Sequence, residues 1–351
     1  MAHLQPRRSP DLILQGLPVR RLRTREERQT LCDYIGYCAL SDVRMQVWEI
    51  EALDQDDFAV RGYVSSFAGI YALSHAAEYL GTACDCGQVK VLPDSEFGRQ
   101  RFGLVICDES PLSASTPPGE RLDTALYGET LFLLRREEFY TLAQSETGYV
   151  GWVRNVDYRR IDAGEWVEWA LRERAVFFQP WSGEGITIPG GTELPILPSG
   201  EVWLPTGSPL PVSGAGVFFS QKASQQRNAL CALAQTLLGV PYLRGGMTHK
   251  GIDCSGFVRS LYRGIGYFLP RDADQQCLLG KISALPGVMG AILPGDLLFF
   301  SGEWGGVSHV AMALGPDRFI HSDTGRGVNI TSLENESFLR EHFLFAKRLI
   351  R

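Results

Sequence analysis

Between Phe102 and Phe219 the chain offers only short apolar runs, each closed within a few residues by glycine, proline or a polar turn. This punctuation leaves room for short strands and none for long helices. LFLLR, FYTLAQ and YVGWVR, separated by SASTPPGE and SETG, read as the strands of a small β barrel over residues 99–162. ITIPGGTELPIL and EVWLPTGSPLPV repeat the style more loosely and predict a second, more divergent barrel over 163–222. Upstream, Met45–Leu53 and Phe58–Val64 alternate like strands, and Ile70–Leu80 carries apolar residues at helical spacing. These make a small α/β segment, 41–98, of unassigned role, and residues 1–40 read as a polar, arginine-rich arm. Downstream, Gln221–Leu238 has a helical run through Ala229, Leu230, Leu233, Leu237 and Leu238, closed by Gly239 and Pro241. It opens a last domain, 223–351.

The 351 residues, 44% hydrophobic and 21% charged, suit a globular protein of two or three domains. A net charge of −6 without a basic stripe argues against nucleic acid or an anionic membrane as partner. The early arginines Arg7, Arg8, Arg20, Arg21, Arg23 and Arg25 lead into Glu26-Glu27-Arg28-Gln29, not into the apolar stretch of about 7 to 15 residues that a signal peptide needs. No run approaches the roughly 20 apolar residues of a membrane span, so a soluble, cytoplasmic protein is expected; a monomer is expected as well. Eight cysteines are too sparse for a disulfide scaffold of this length and are expected reduced. Cys84-Asp85-Cys86 lacks the spacing of a zinc knuckle, and neither a metal nor another cofactor is expected.

The chemistry sits in the last domain. Asp253-Cys254-Ser255-Gly256 precedes apolar residues at helical spacing, Phe257, Val258, Leu261 and Tyr262. A cysteine at a helix N-terminus feels the positive end of the dipole and unpaired amides, which favour a thiolate and can hold an oxyanion. A base must come from the six histidines. Ser308–Leu314 and Arg318–His321 read as a hairpin turning at Gly315-Pro316-Asp317. If Ala311 lies opposite His321, then His309 and His321 share a face as diagonal neighbours; a slip of one residue separates them. In that register His309 takes the Cys254 proton and His321 orients His309.

Ordered blocks carry a resemblance: Gly239-Val240-Pro241-Tyr242, Gly245-Gly246, Asp253 to Val258, Leu269 to Asp272, Pro294 to Phe300, Ser308 to Ala311, and Phe319 to His321. Together they resemble the NlpC/p60-type cysteine peptidases. The resemblance implies a papain-like α+β catalytic domain with Cys254, His309 and His321 as catalytic triad and no metal. Gly148-Tyr149-Val150-Gly151-Trp152-Val153 is similar to the closing strand of bacterial SH3-like domains. An SH3-like module before an NlpC-type domain resembles the dipeptidyl-peptidase VI group, which cuts the γ-D-glutamyl to diamino acid bond of murein peptides bearing a free N-terminal L-Ala. That implies Tyr149 and Asp272 as partners of the alanine amine, and Asp253, Ser255 and Ser308 as further substrate contacts. The serine that often follows the Arg-Asp pair in that group is Ala273 here, which removes one substrate hydrogen bond. The alternatives are a non-catalytic wall-binding protein working through its SH3-like modules, and an amidase or acyltransferase of the same fold.

Overall fold

The computed structural model describes residues 22, 24–40, 42–54, 58–116, 119–212, 223–288, 291–303 and 305–350. Arg7, Arg8, Arg20, Arg21 and Arg23 lie outside them. The end of the expected arm is instead a helix, α1 (Arg25–Ala39). Thr24 and Glu27 form a capping box, each side chain accepting the other's backbone N–H, and Leu31, Cys32 and Ile35 bury one face.

That face meets a three-stranded sheet. Strands β1 (Trp48–Ala52) and β2 (Phe58–Val64) are antiparallel, and β3 (Cys84–Val91) runs parallel to β2 after the crossover helix α2 (Phe67–Tyr79). Gly69, Leu73, Ala76 and Ala77 give α2 its buried stripe.

Seven short strands follow: β4 (Phe102–Val105), β5 (Glu109–Ser113), β6 (Arg121–Leu126), β7 (Thr130–Arg136), β8 (Tyr140–Gln144), β9 (Val150–Arg154) and β10 (Tyr158–Ile161). They form one antiparallel sheet in the order β10-β4-β7-β8-β9-β5-β6 around Val105, Leu112, Leu131, Leu133 and Val153. The segment read as a second barrel differs from one continuous sheet. Its described part holds a helix, α3 (Ala163–Leu171), and strands that pair two by two: Arg174–Phe177 with Thr192–Pro195, Trp181–Gly183 with Ile186–Ile188, and Val202–Trp203 with Pro209–Leu210. Prolines 195, 205, 209 and 211 lack the N–H that would extend these ladders. Residues 213–222 of the expected barrel lie outside the described residues. Trp169, Ile188 and Leu194 share a core with Leu104, Tyr127 and Ile161 of the preceding segment.

The last segment sandwiches a six-stranded antiparallel sheet. Its strands are β11 (Lys281–Ala284), β12 (Leu297–Ser301), β13 (Val307–Ala313), β14 (Phe319–Asp323), β15 (Gly327–Thr331) and β16 (Phe343–Arg348), in the order β11-β16-β12-β13-β14-β15. Leu297, Phe299, Val310, Met312 and Ile320 share a core with residues of helices α4 (Ala223–Thr236) and α5 (Cys254–Arg263). The alternate residues Leu298, Phe300, Ala311 and Phe319 form the other core, with Leu339 of α7 (Ser337–His342). A short helix, α6 (Ala273–Gln276), completes the segment. No described helix is long and apolar enough to cross a membrane.

Buried charge ties α5 to the β-rich segments. Arg263 at its end pairs with Glu129 and, at 2.6 Å, with Glu193, all three nearly inaccessible. Arg263→Met leaves two buried carboxylates without their shared cation, so the unfolding free energy in urea should fall by about 3–5 kcal/mol. A loss below about 1 kcal/mol would show that the pairing contributes no more than a surface bridge.

Candidate active site

Cys254 is the first residue of α5, and Asp253 is its N-cap, accepting the Gly256 amide at 2.7 Å. Gly256 is required by close approach: a Cβ there would stand 2.5 Å from the carbonyl oxygen of Gly246. The helix lies across β13 and β14, with Cys254, Phe257, Val258 and Leu261 packed among Val310, Met312 and Ile320. Ser322 donates to the Ile252 carbonyl at 2.7 Å and so ties the strand of His321 to the residues just before Cys254.

The hairpin takes the register that unites the histidines. Met312 pairs with Ile320 and Ala313 with Phe319, and the same register continued sets Ala311 opposite His321. His309 Nε2 lies 2.8 Å from His321 Nδ1, the rings nearly perpendicular, with Phe300 and Phe319 packed beside them. His309 is half-buried and His321 buried.

Burial dominates the titration of all three groups. It pushes the Cys254 thiol up to about 12, with Asp253 adding to it, while the amides of Val310 and Ser255 and the Arg271 charge pull the other way. It pushes His309 down to about 3, helped by His321. His321 is also held low by burial, which Asp323 opposes. At neutral pH the resting site therefore holds a thiol and uncharged imidazoles.

Two residues missed in the sequence stand behind His321. Asp323 Oδ2 is 3.5 Å from His321 Nε2, and Asn329, opposite His321 on β15, donates to Asp323 at 2.7 Å. Burial raises the Asp323 carboxyl's affinity for a proton, but the amides of Arg326 and Gly325 and the Asn329 side chain outweigh it and hold it below its usual range. Asp323 could be found as the second residue after His321 on a strand; Asn329 depends on cross-strand pairing.

The expected substrate contacts separate into two groups. Asp253 and Ser255 face inward, where Arg271 donates to both Asp253 oxygens at 3.0 and 2.6 Å and to Ser255 Oγ at 3.0 Å. Asp253 also accepts the Gly245 amide at 2.8 Å. Arg271 reaches Asp123 of β6 at 2.8 Å, and Arg271 and Asp123 are wholly buried. Tyr149 and Asp272 come together from distant segments: the Tyr149 hydroxyl donates to Asp272 Oδ2. Burial and that carboxylate raise the phenol's pKa. Ser308 is exposed next to His309.

The sequence reading missed Arg44, which joins this second group from the segment before β1. Its guanidinium bonds Asp272 at 2.7 Å, Asp274 at 3.0 Å and Asp42 at 2.7 Å, and lies over the Tyr149 ring. Burial works against its charge, but the hydrogen bonds to Asp42 and Asp274 prevail and raise its pKa. Only Asp42 lies near Arg44 in sequence; the partners that place it in this corner, Asp272 and Asp274, lie some 230 residues away. Among the described residues, no group of three or more His, Cys, Asp or Glu side chains is placed to hold a metal ion.

The family model described as NlpC/P60 family matches residues 239–348, which hold Cys254, His309 and His321. The chain is 39% identical over 119 residues to "Probable endopeptidase NlpC" of Escherichia coli (strain K12), covering 33% of this chain and 73% of that protein. The chain belongs to the NlpC/P60 family. It is also 38% identical over 124 residues to "Gamma-D-glutamyl-L-lysine dipeptidyl-peptidase" of Bacillus subtilis (strain 168), covering 34% of this chain and 40% of that relative's length. The crystal structure of an NlpC/P60 family protein from Bacillus cereus ATCC 10987 superposes with a TM-score of 0.58 at 19% identity, over 71% of this chain and all of that one. That coverage extends beyond the matched NlpC/P60 domain, whose architecture is papain-like α+β, into the β-rich segments upstream.

The depressed histidine sets a pH window. The unfolded chain binds a proton at His309 below about pH 6.5, whereas the folded chain resists it down to about 3. His309 should make stability fall as pH drops from about 6.5 toward 3, by up to about 1.4 kcal/mol per pH unit. Denaturant titrations of wild type and His309→Gln across that window should show the wild-type slope exceeding the variant's; equal slopes would overturn the burial argument.

Proposed function

We propose that this NlpC/P60 chain is a cysteine peptidase that hydrolyses the γ-D-glutamyl to diamino acid bond of murein peptides with a free N-terminal L-Ala. The observation that carries the reading is the His309–His321 pair at 2.8 Å on strands crossed by the helix that Cys254 begins. The name of the Bacillus subtilis relative supports the choice of bond.

His309 Nε2 is committed to His321, so Nδ1 is the nitrogen that exchanges a proton with the thiol. Since Nδ1 must accept, Nε2 carries hydrogen and donates to His321 Nδ1, and His321 Nε2–H then points toward Asp323 and Asn329. The thiol is not pre-ionised, so its proton passes to His309 as sulfur attacks the carbonyl carbon. Backbone N–H groups at the start of α5 hold the oxyanion. His309 protonates the leaving amine, and water, deprotonated by the same imidazole, releases the acyl group from sulfur.

In this reading the seven-stranded sheet is an SH3-like module that walls one end of the cleft. Asp42, Asp272 and Asp274 outnumber Arg44, so the Tyr149 corner keeps a net negative charge suited to an ammonium group. Ser308 joins Tyr149 and Asp272 as a direct contact, and Asp253 and Ser255 act through Arg271. A cytoplasmic enzyme trimming released peptides fits this requirement for a free amine.

Mass spectrometry of L-Ala-γ-D-Glu-diamino acid peptides should show cleavage between glutamate and the diamino acid, abolished by Cys254→Ala. Acetylating the alanine amine should reduce kcat/KM by about 100-fold or more, because the carboxylates lose their counter-charge. Equal cleavage of both forms would remove the amine from the proposal, and binding without cleavage would favour a non-catalytic role. Asp323→Asn should lower kcat about tenfold and move the acid limb of the pH–rate profile to lower pH, since Asp323 favours the protonated histidine. An unmoved limb would make Asp323 merely structural.

A further inference from the structure

Cys84 and Cys86 take no part in the site described above. They stand on β3, one of the two edge strands of the three-stranded sheet, with one residue between them, so their side chains share a face. Their sulfurs are 3.7 Å apart. The pairing of β3 with β2 shifts register at this point: Ala59 pairs with Asp85 but Arg61 with Gln88, so Cys86 and Gly87 together oppose Val60. Alternate residues of a regular strand have Cα atoms about 6.4–6.8 Å apart, at the upper edge of what a disulfide spans. A bulge bends the strand and supplies the give needed to close it.

Both thiols are half-buried, whereas the neighbouring Cys32 of α1 is wholly inaccessible. The Ser74 hydroxyl of α2 lies 3.6 Å from Cys86 Sγ. Cys86 thus has two polar neighbours, Cys84 and Ser74, and contact with Cys84 first and Ser74 second favours its thiolate against burial. Cys32, Cys107 and Cys254 are pushed the other way, to about 12, 11 and 12, each chiefly by burial.

We propose that Cys84 and Cys86 form a reversible dithiol–disulfide pair that exchanges with low-molecular-weight disulfides, Cys86 attacking and Cys84 resolving. The Cys86 thiolate attacks one sulfur of the external disulfide, whose S–S bond breaks to release one thiolate. Cys84 then gives up its proton and attacks Cys86 Sγ, the mixed S–S bond breaks, and the second thiolate leaves. The two cysteines are oxidised by two electrons, and the external disulfide is reduced to two thiols. A bond closed across a single residue of a strand is strained, which places the pair among readily reduced disulfides.

The test uses the full chain carrying Cys254→Ala, so that the active-site nucleophile is silent. After equilibration with oxidised glutathione, alkylation and digestion, the peptide holding both cysteines should have lost two hydrogen atoms and taken up no alkyl group, and dithiothreitol should reverse this. Adding Cys84→Ser should trap glutathione on Cys86. Adding Cys86→Ser instead should leave Cys84 reacting about tenfold or more slowly. Full alkylation of both residues after glutathione treatment, a stable glutathione adduct in place of the internal bond, or equal rates in the two variants would overturn the proposal.

Discussion

One buried guanidinium ties the start of α5 to the seven-stranded sheet. Arg271 is wholly inaccessible and gathers Asp253, the cap of α5, Ser255 and Asp123 of β6. Taking these charges out of water costs several kcal/mol per ion, and only well-directed hydrogen bonds offset that cost. The arrangement therefore tolerates little displacement. Asp123 carries the constraint further, accepting the hydroxyls of Ser145 at 3.1 Å and Thr147 at 2.6 Å, just before Tyr149. A continuous path of charge-assisted hydrogen bonds links the residue before Cys254 to the loop that presents Tyr149.

Asp272, the next residue, turns outward from this network to Tyr149 and Arg44. Two consecutive side chains thus do different work: Arg271 orders α5 against the seven-stranded sheet, and Asp272 gathers the negatively charged corner. The histidines obey a related logic. Their burial removes charge from the resting site, and Asp323, held ionised by amides, is the nearest group that favours an imidazolium. A histidine that resists protonation at rest and has a carboxylate behind its partner suits a base that is charged only during turnover.

Much of the last segment was legible. Asp253-Cys254-Ser255-Gly256 marks its own helix start, since a capping aspartate and a close-approach glycine are local requirements. Register decides whether the β13–β14 hairpin brings the histidines together or parts them, and the hairpin takes the register that unites them. Short Gly/Pro-punctuated runs announced β strands between residues 102 and 212, although not how they pair. In 163–212 the prolines that signalled turns also prevented a continuous ladder, and α1 was overlooked although Thr24-Arg25-Glu26-Glu27 spells its cap.

The sequence by itself determined where the helix of Cys254 begins and where the hairpin of His309 and His321 folds, because each rests on spacing within a few residues. Only the tertiary structure decided that Arg44 sits on Asp272, that Asn329 bonds Asp323 behind His321, and that Arg271 holds Asp253. Those contacts join residues up to about 230 positions apart, and their partners are set by desolvation and charge balance in a packed interior. No local pattern of residues records that balance.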